Sequence, residues 1–142
     1  MKRKQNQRRA TATLLMLILV VSIVSPLVLA SSSAPQPRYI AVSNVTCGFD
    51  VLTLGISCPC GTVTLRDGYM AELRVSIMQS SDSYSWSNYQ SWTTFGSSYL
   101  SLGEYYAVER GYFYKALAEV TVYNSNGNVV ECVSLDSPYK YY

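Results

Sequence analysis

Histidine is absent from all 142 residues. Its absence removes the Ser-His-Asp and Cys-His arrangements, which need an imidazole to take and return a proton. Mixed Cys/His metal sites go with it. Charge is scarce as well, at 14% of residues. No G-x-S-x-G elbow, Gly-rich phosphate loop or D-x-D-x-D-G calcium loop occurs. The nine acidic residues are the remaining candidates for acid–base chemistry. Glu72, Glu109 and Glu119 fall on outward or turn positions, where carboxylates are usually solvated. A domain this small also offers little cleft in which two carboxylates could face each other across a substrate. The expectation is a chain that is not an enzyme and uses no metal or other cofactor.

What is present begins with an export pattern. Lys2, Arg3, Lys4, Arg8 and Arg9 form a basic start, and Leu14 to Val24 is apolar apart from Ser22. Val28-Leu29-Ala30 then presents small or branched residues where a signal peptidase reads. The apolar run is short for a membrane span, and Pro26 and the Ser-rich stretch after Ala30 suit cleavage better than an uncleaved anchor. Residues 1–30 read as a signal peptide, cut after Ala30 or, second, after Ala34. No cysteine follows the apolar run to carry a lipid. Cleavage after Ala30 leaves six basic residues against nine acidic ones, a net charge of −3. No basic stripe remains to hold a nucleic-acid backbone. The expected location is extracellular, with no stable membrane anchor once the signal is gone.

Residues 31–38, "SSSAPQPR", bring little apolar surface and read as a flexible start. Residues 39–142 read as one domain of ordinary size. Its pattern is β. Ala71, Leu73, Val75 and Ile77 alternate with Glu72, Arg74 and Ser76. Tyr114, Ala116, Ala118, Val120 and Val122 alternate with Lys115, Glu119 and Thr121. Such period-two alternation places one face of a strand in a core. Leu100 and Leu102 follow the same rule, and Trp92 reads as a core plug between sheets. Glycines at Arg66-Asp67-Gly68, Glu109-Arg110-Gly111 and Asn126-Gly127 mark turns. The expected strands are 39–51, 56–65, 70–79, 86–94, 99–108, 111–123 and 127–135, making an all-β antiparallel sandwich of about seven strands.

A resemblance adds to this reading. The chain has an apolar-Gln strand end at Ile77-Met78-Gln79 and paired Ser-Trp steps at Ser85-Trp86 and Ser91-Trp92. A Gly-Tyr-aromatic-Tyr start at Gly111 to Tyr114 then leads into "KALAEVTV". Over roughly residues 39–135 it resembles a family of small secreted bacterial domains of unknown function, common in Firmicutes. The resemblance implies an immunoglobulin-like or fibronectin-like sandwich and no known activity. Asn44-Val45-Thr46 is a glycosylation sequon, with no meaning in a bacterial setting.

Four cysteines in an exported chain suggest up to two disulfides. Cys58-Pro59-Cys60 is too tightly spaced for a tetrahedral metal clamp. It also lies in a strand pattern, away from the helix N-terminus that redox pairs favour. Along a strand Cys58 and Cys60 share a face, and a bridge between them would be strained. A hairpin turning near Thr53–Gly55 would bring Cys47 opposite the neighbourhood of Cys60, leaving Cys58 for Cys132. That pairing is one of three.

Thirteen tyrosines and two tryptophans exceed what one core holds. Tyrosines cluster at Tyr105 and Tyr106 and again at Tyr139, Tyr141 and Tyr142. Cross-strand pairing on exposed faces accounts for some of them. Tyr84, Trp86 and Tyr89 lie in a Ser-rich aromatic hairpin and are the candidate binding surface, since flat amphipathic rings suit sugars or a protein partner. The expected function is a secreted, non-catalytic binding or interaction module at the bacterial surface or in the medium. A glycan-binding module and a disulfide-stabilised inhibitor or effector are the alternatives.

Overall fold

The computed structural model describes residues 39–142; the expected signal peptide and Ser/Pro-rich segment lie outside the described residues. Among the described residues nine strands and no helix are found, and the strands form two antiparallel sheets. The strands are β1 (Val42–Val51), β2 (Ile56–Leu65), β3 (Met70–Ser80), β4 (Ser87–Ser97), β5 (Tyr99–Gly103), β6 (Tyr106–Ala107), β7 (Phe113–Tyr123), β8 (Val129–Asp136) and β9 (Lys140–Tyr141). One sheet runs β1-β2-β5, with β6 beside β2. The other runs β4-β3-β7-β8, with β9 beside β7. The two sheets make a β-sandwich.

The alternation read from the sequence decides which faces meet. Ala71, Leu73, Val75 and Ile77 of β3 are buried, as are Tyr114, Ala116, Ala118, Val120 and Val122 of β7. Ala71, Leu73, Val75, Ala118, Val120 and Val122 cluster with Val63, Leu65 and Leu100 of the facing sheet, and Ile77 and Tyr114 form a second cluster with Val108. The sheets approach closely where the residues are smallest. A Cβ added to Gly61 of β2 would lie 2.8 Å from Val75 Cγ2 and 3.4 Å from Ala118 Cβ. Gly61 therefore sets the local sheet separation, because nothing larger fits without moving the facing strands. The glycines of the three expected turns, Gly68, Gly111 and Gly127, all take the positive φ that their turns demand.

Three expectations about the core and strands need correction. Trp92 is only half-buried, at the rim, with its ring centroid 5.6 Å from that of Tyr106. The largest enclosed side chain is Tyr114. Leu102 is partly covered, because β5 ends one residue later. The strand expected over 99–108 is broken at Glu104-Tyr105 into β5 and β6, which pair with successive stretches of β2.

Side chains finish the backbone ladder where strands are interrupted. Pro138 has no N–H to give, and β8 stops just before it. The Ser137 hydroxyl accepts from the Ala116 amide at 2.9 Å, while the Ser137 amide donates to the Ala116 carbonyl at 2.9 Å. Glu131 of β8 accepts from the amides of Ile40, Ala41 and Val42 at 3.1, 2.8 and 3.1 Å. The first strand is thereby tied to the opposite sheet. The Lys140 ammonium donates to the Asp50 carboxylate and closes the same side of the sandwich further along.

Candidate functional site

The three residues singled out as a binding surface do not share a face. β3 and β4 pair with an irregularity: Ile77 faces Gln90, but the next residue, Met78, faces Asn88. Tyr89 is the extra residue of this β-bulge, and a bulge reverses the facing of everything beyond it. Trp92, on the regular side, packs against the core. Tyr89 also packs inward, edge-on to Tyr114 at 5.8 Å and to Tyr106 at 6.0 Å. Burial against these rings, with Glu109 nearby, raises the Tyr89 phenol above its usual range. Tyr89 is thus a packing residue.

Trp86 goes to the other side and finds partners that the local sequence does not show. Its ring centroid lies 6.0 Å from that of Tyr139. Tyr139 packs edge-on to Phe113 at 5.8 Å, and Phe113 lies 5.0 Å from Tyr141. Phe113 begins β7 and pairs directly with Tyr141 of β9. Four rings from three chain segments therefore form a continuous run at one end of the β4-β3-β7-β8 sheet. Tyr139 remains 56% exposed and Tyr141 65%, so ring surface is left for a ligand. The period-two spacing of Tyr139 and Tyr141 was the available signal. What the sequence could not show was that β9 lies against the start of β7.

The charged residue within this run is restrained from two sides. The Lys115 ammonium lies 4.7 Å from the Trp86 ring centroid and 3.1 Å from Asp136 Oδ2. A cation over an indole face is held by the ring quadrupole, and the carboxylate fixes its position. The platform thus combines exposed aromatic surface with a donor and an acceptor at its margin.

Tyr84 lies on the β3–β4 loop, two residues before Trp86, and is 87% exposed. Asp82 organises that loop. Its carboxylate accepts from the Ser85 amide at 2.7 Å, the Tyr84 amide at 2.9 Å and the Ser80 hydroxyl at 2.8 Å. These donors, the Ser85 amide foremost, hold the Asp82 carboxyl well below the usual carboxylate range. Ser83 takes a φ of 64° to let the chain fold around it. An Asx-type turn of this kind fixes the direction from which Trp86 enters the sheet.

The cysteine pairings also need correction: all four thiols are free. Cys47 and Cys60 are on paired strands, as expected, but Cys47 faces Gly61 and Cys60 faces Gly48. Neighbouring positions along a strand point to opposite faces, so one thiol looks inward and the other outward. Burial pushes the Cys47 thiol up to about 11. Cys58, two residues from Cys60, points outward from the β2 sheet. Cys132 points outward from the other sheet, opposite Thr121. The sandwich separates them, and neither expected bridge has the Cβ approach that a disulfide requires.

Cys132 instead borders a shallow open groove of about 320 Å³ lined by Glu119, Thr121, Val133 and Ser134. Among the described residues no three His, Cys, Asp or Glu side chains converge to hold a metal ion. No helix among them is long and apolar enough to cross a membrane. Four of the nine acidic residues have structural partners: Asp50 and Asp136 pair with lysines, Asp82 folds its loop, and Glu131 receives three amides. Comparison with family models and with curated proteins finds no match.

Proposed function

We propose that this chain is an exported, non-catalytic carbohydrate-binding module. Its ligand surface is the run Trp86–Tyr139–Phe113–Tyr141 on the outer side of the β4-β3-β7-β8 sheet. The observation that carries the reading is the continuity of those rings, joined at 5.0 to 6.0 Å from three separate segments, with Tyr139 and Tyr141 left open to solvent. Sugar rings offer apolar C–H faces and equatorial hydroxyls. Aromatic faces take the first, and Lys115, Asp136 and the tyrosine hydroxyls are suited to the second. The inhibitor reading depended on disulfides, and neither expected pair is placed to form one.

The fold reading goes with this function. An immunoglobulin-like or fibronectin-like sandwich is supported by the strand order, β1-β2-β5 against β4-β3-β7-β8. It is supported also by the Tyr114 hydroxyl, which bonds back to the backbone of Glu109 just before β7. That contact resembles the tyrosine corner of such sandwiches. Ala116 stands where antibody domains carry the second inter-sheet cysteine, two residues after this tyrosine.

Retention on immobilised polysaccharides and on a glycan array tests the function. Trp86→Ala and Tyr139→Ala should each weaken retention at least about tenfold, as expected for central aromatic anchors. Phe95→Ala, on the same sheet but outside the run, should leave it unchanged. Uniform failure of the unaltered protein to retain any glycan overturns the reading. Export is tested separately by intact mass: the released protein should begin near Ser31, and Met1 retained on a membrane-bound form refutes it.

A further inference from the structure

The four lateral edges of the sandwich are not equally protected. On one side, β1 is fastened by Glu131 to its first amides and by the Asp50–Lys140 pair near its end. On the same side, β8 carries Glu131 and Asp136. Exposed edges are usually blunted in this way, because an unpaired row of N–H and C=O groups invites another strand. On the other side, β5 is short, with five residues. β4 has eleven, Ser87–Ser97, pairs only with β3, and contains no charge and no proline. No charged residue occurs anywhere from Ser83 to Gly103. Its bulge lies at Tyr89, which leaves Ser91–Ser97 as a regular stretch. Trp92, Thr93, Thr94 and Phe95 in that stretch are strong strand formers, and Phe95 is 56% exposed.

We propose that β4 is a pairing edge for a second copy of this chain. The two β4 strands run antiparallel about a two-fold axis near Thr93–Thr94 and join the two β4-β3-β7-β8 sheets into one. In antiparallel self-pairing every residue faces a residue of the same strand, and those at the axis meet their own copies, so a strand bearing several like charges is repelled by itself. β4 is the one long edge of the sandwich that bears no charge at all. A heterologous peptide partner would more naturally select a charged or pocketed edge, where side chains give direction. A two-fold axis perpendicular to the joined sheet leaves both aromatic platforms on the same side, at opposite ends. The inference does not depend on what those platforms bind. If they take a polymer, the pair would engage it bivalently.

Sedimentation of the purified protein, with a thiol reductant present, tests the proposal over concentrations up to about 100 µM. A reversible monomer–dimer equilibrium is expected, with amide exchange in β4 slowing as concentration rises. Thr93→Glu should weaken dimerisation at least about tenfold, because the two carboxylates meet near the axis. Within its own chain the new carboxylate faces Arg74 across the β3–β4 pair, so the monomer keeps its fold. Phe95→Lys, which faces Glu72 within its own chain, is the second variant, because a lysine on an edge strand opposes pairing with another strand. If both variants unfold, concentration-dependent exchange in the unaltered β4 decides the matter. A monomer throughout overturns the proposal. So does a dimer unaffected by folded Thr93→Glu, or one seen only without reductant, which would report linkage through the exposed thiols.

Discussion

The Tyr114 hydroxyl donates to the Glu109 carbonyl at 3.1 Å and accepts from the Glu109 amide at 3.2 Å. The same oxygen accepts from Gln79 Nε2 at 2.8 Å. One fully buried phenol therefore holds the turn before β7, the start of β7 and the end of β3 together. Tyr114→Phe keeps the ring and removes three hydrogen bonds, leaving Gln79 without its partner. A loss of about 1.5–3 kcal/mol is expected, measured by urea denaturation. A change under about 0.5 kcal/mol, the usual size for an unremarkable substitution, would show that the corner carries no stability.

Gly61 and Val75 form a second testable pair. Val75→Ala should cost about 1.5–3 kcal/mol through lost burial and a cavity. Leu102→Ala, at a partly covered position, should cost less, about 1–2 kcal/mol. Gly61→Ala should cost about 1–3 kcal/mol, because its methyl would lie too close to Val75 Cγ2. Shortening Val75 removes that clash. The double variant should therefore lose less than the two singles combined, by about 0.5 kcal/mol or more, and simple additivity would contradict the packing.

Asp82 makes the β3–β4 loop sensitive to acid. Its folded-state pKa lies below the ordinary value of 3.8. Its contribution to the loop is therefore complete above the ordinary value and is lost as pH falls through the lower, folded one. The amides of Tyr84 and Ser85 should titrate in NMR spectra with a midpoint well under that of a free aspartate. Asp82→Asn should abolish this titration. A midpoint at or above 3.8 contradicts the turn geometry.

The thiols should divide by face. Cys60 and Cys132 should react with a maleimide in the folded protein. Cys47, half-buried and with its thiol raised to about 11, should react far more slowly until the protein unfolds. Reductant should leave the melting temperature unchanged, since no bridge restricts the unfolded chain. A non-reducing peptide map showing Cys47–Cys60 or Cys58–Cys132 would overturn the assignment of faces.

Much of the architecture was legible without coordinates because strand formation writes a short-range record. Alternation along 71–77 and 114–122 identified the buried faces of β3 and β7 residue by residue. Glycines at 68, 111 and 127 marked where the chain turns. These signals lie within a few residues of one another, and the pleat of a single strand is enough to produce them.

The proposed binding surface was not legible in the same way, because it depends on pairing between distant segments. One extra residue at Tyr89 sends Trp86 and Trp92 to opposite faces, although even spacing alone would put them together. Nothing in "SWSNYQSW" requires that bulge; the register between β3 and β4 does. Tyr139 and Tyr141 stood out as aromatics, but only β9 pairing with the start of β7 brings them to Phe113 and Trp86. The cysteines follow the same division. The sequence by itself determined that Cys47 and Cys60 would lie on adjoining strands. Tertiary structure decided that they point to opposite faces, because a register one residue apart separates in space what the chain brings near.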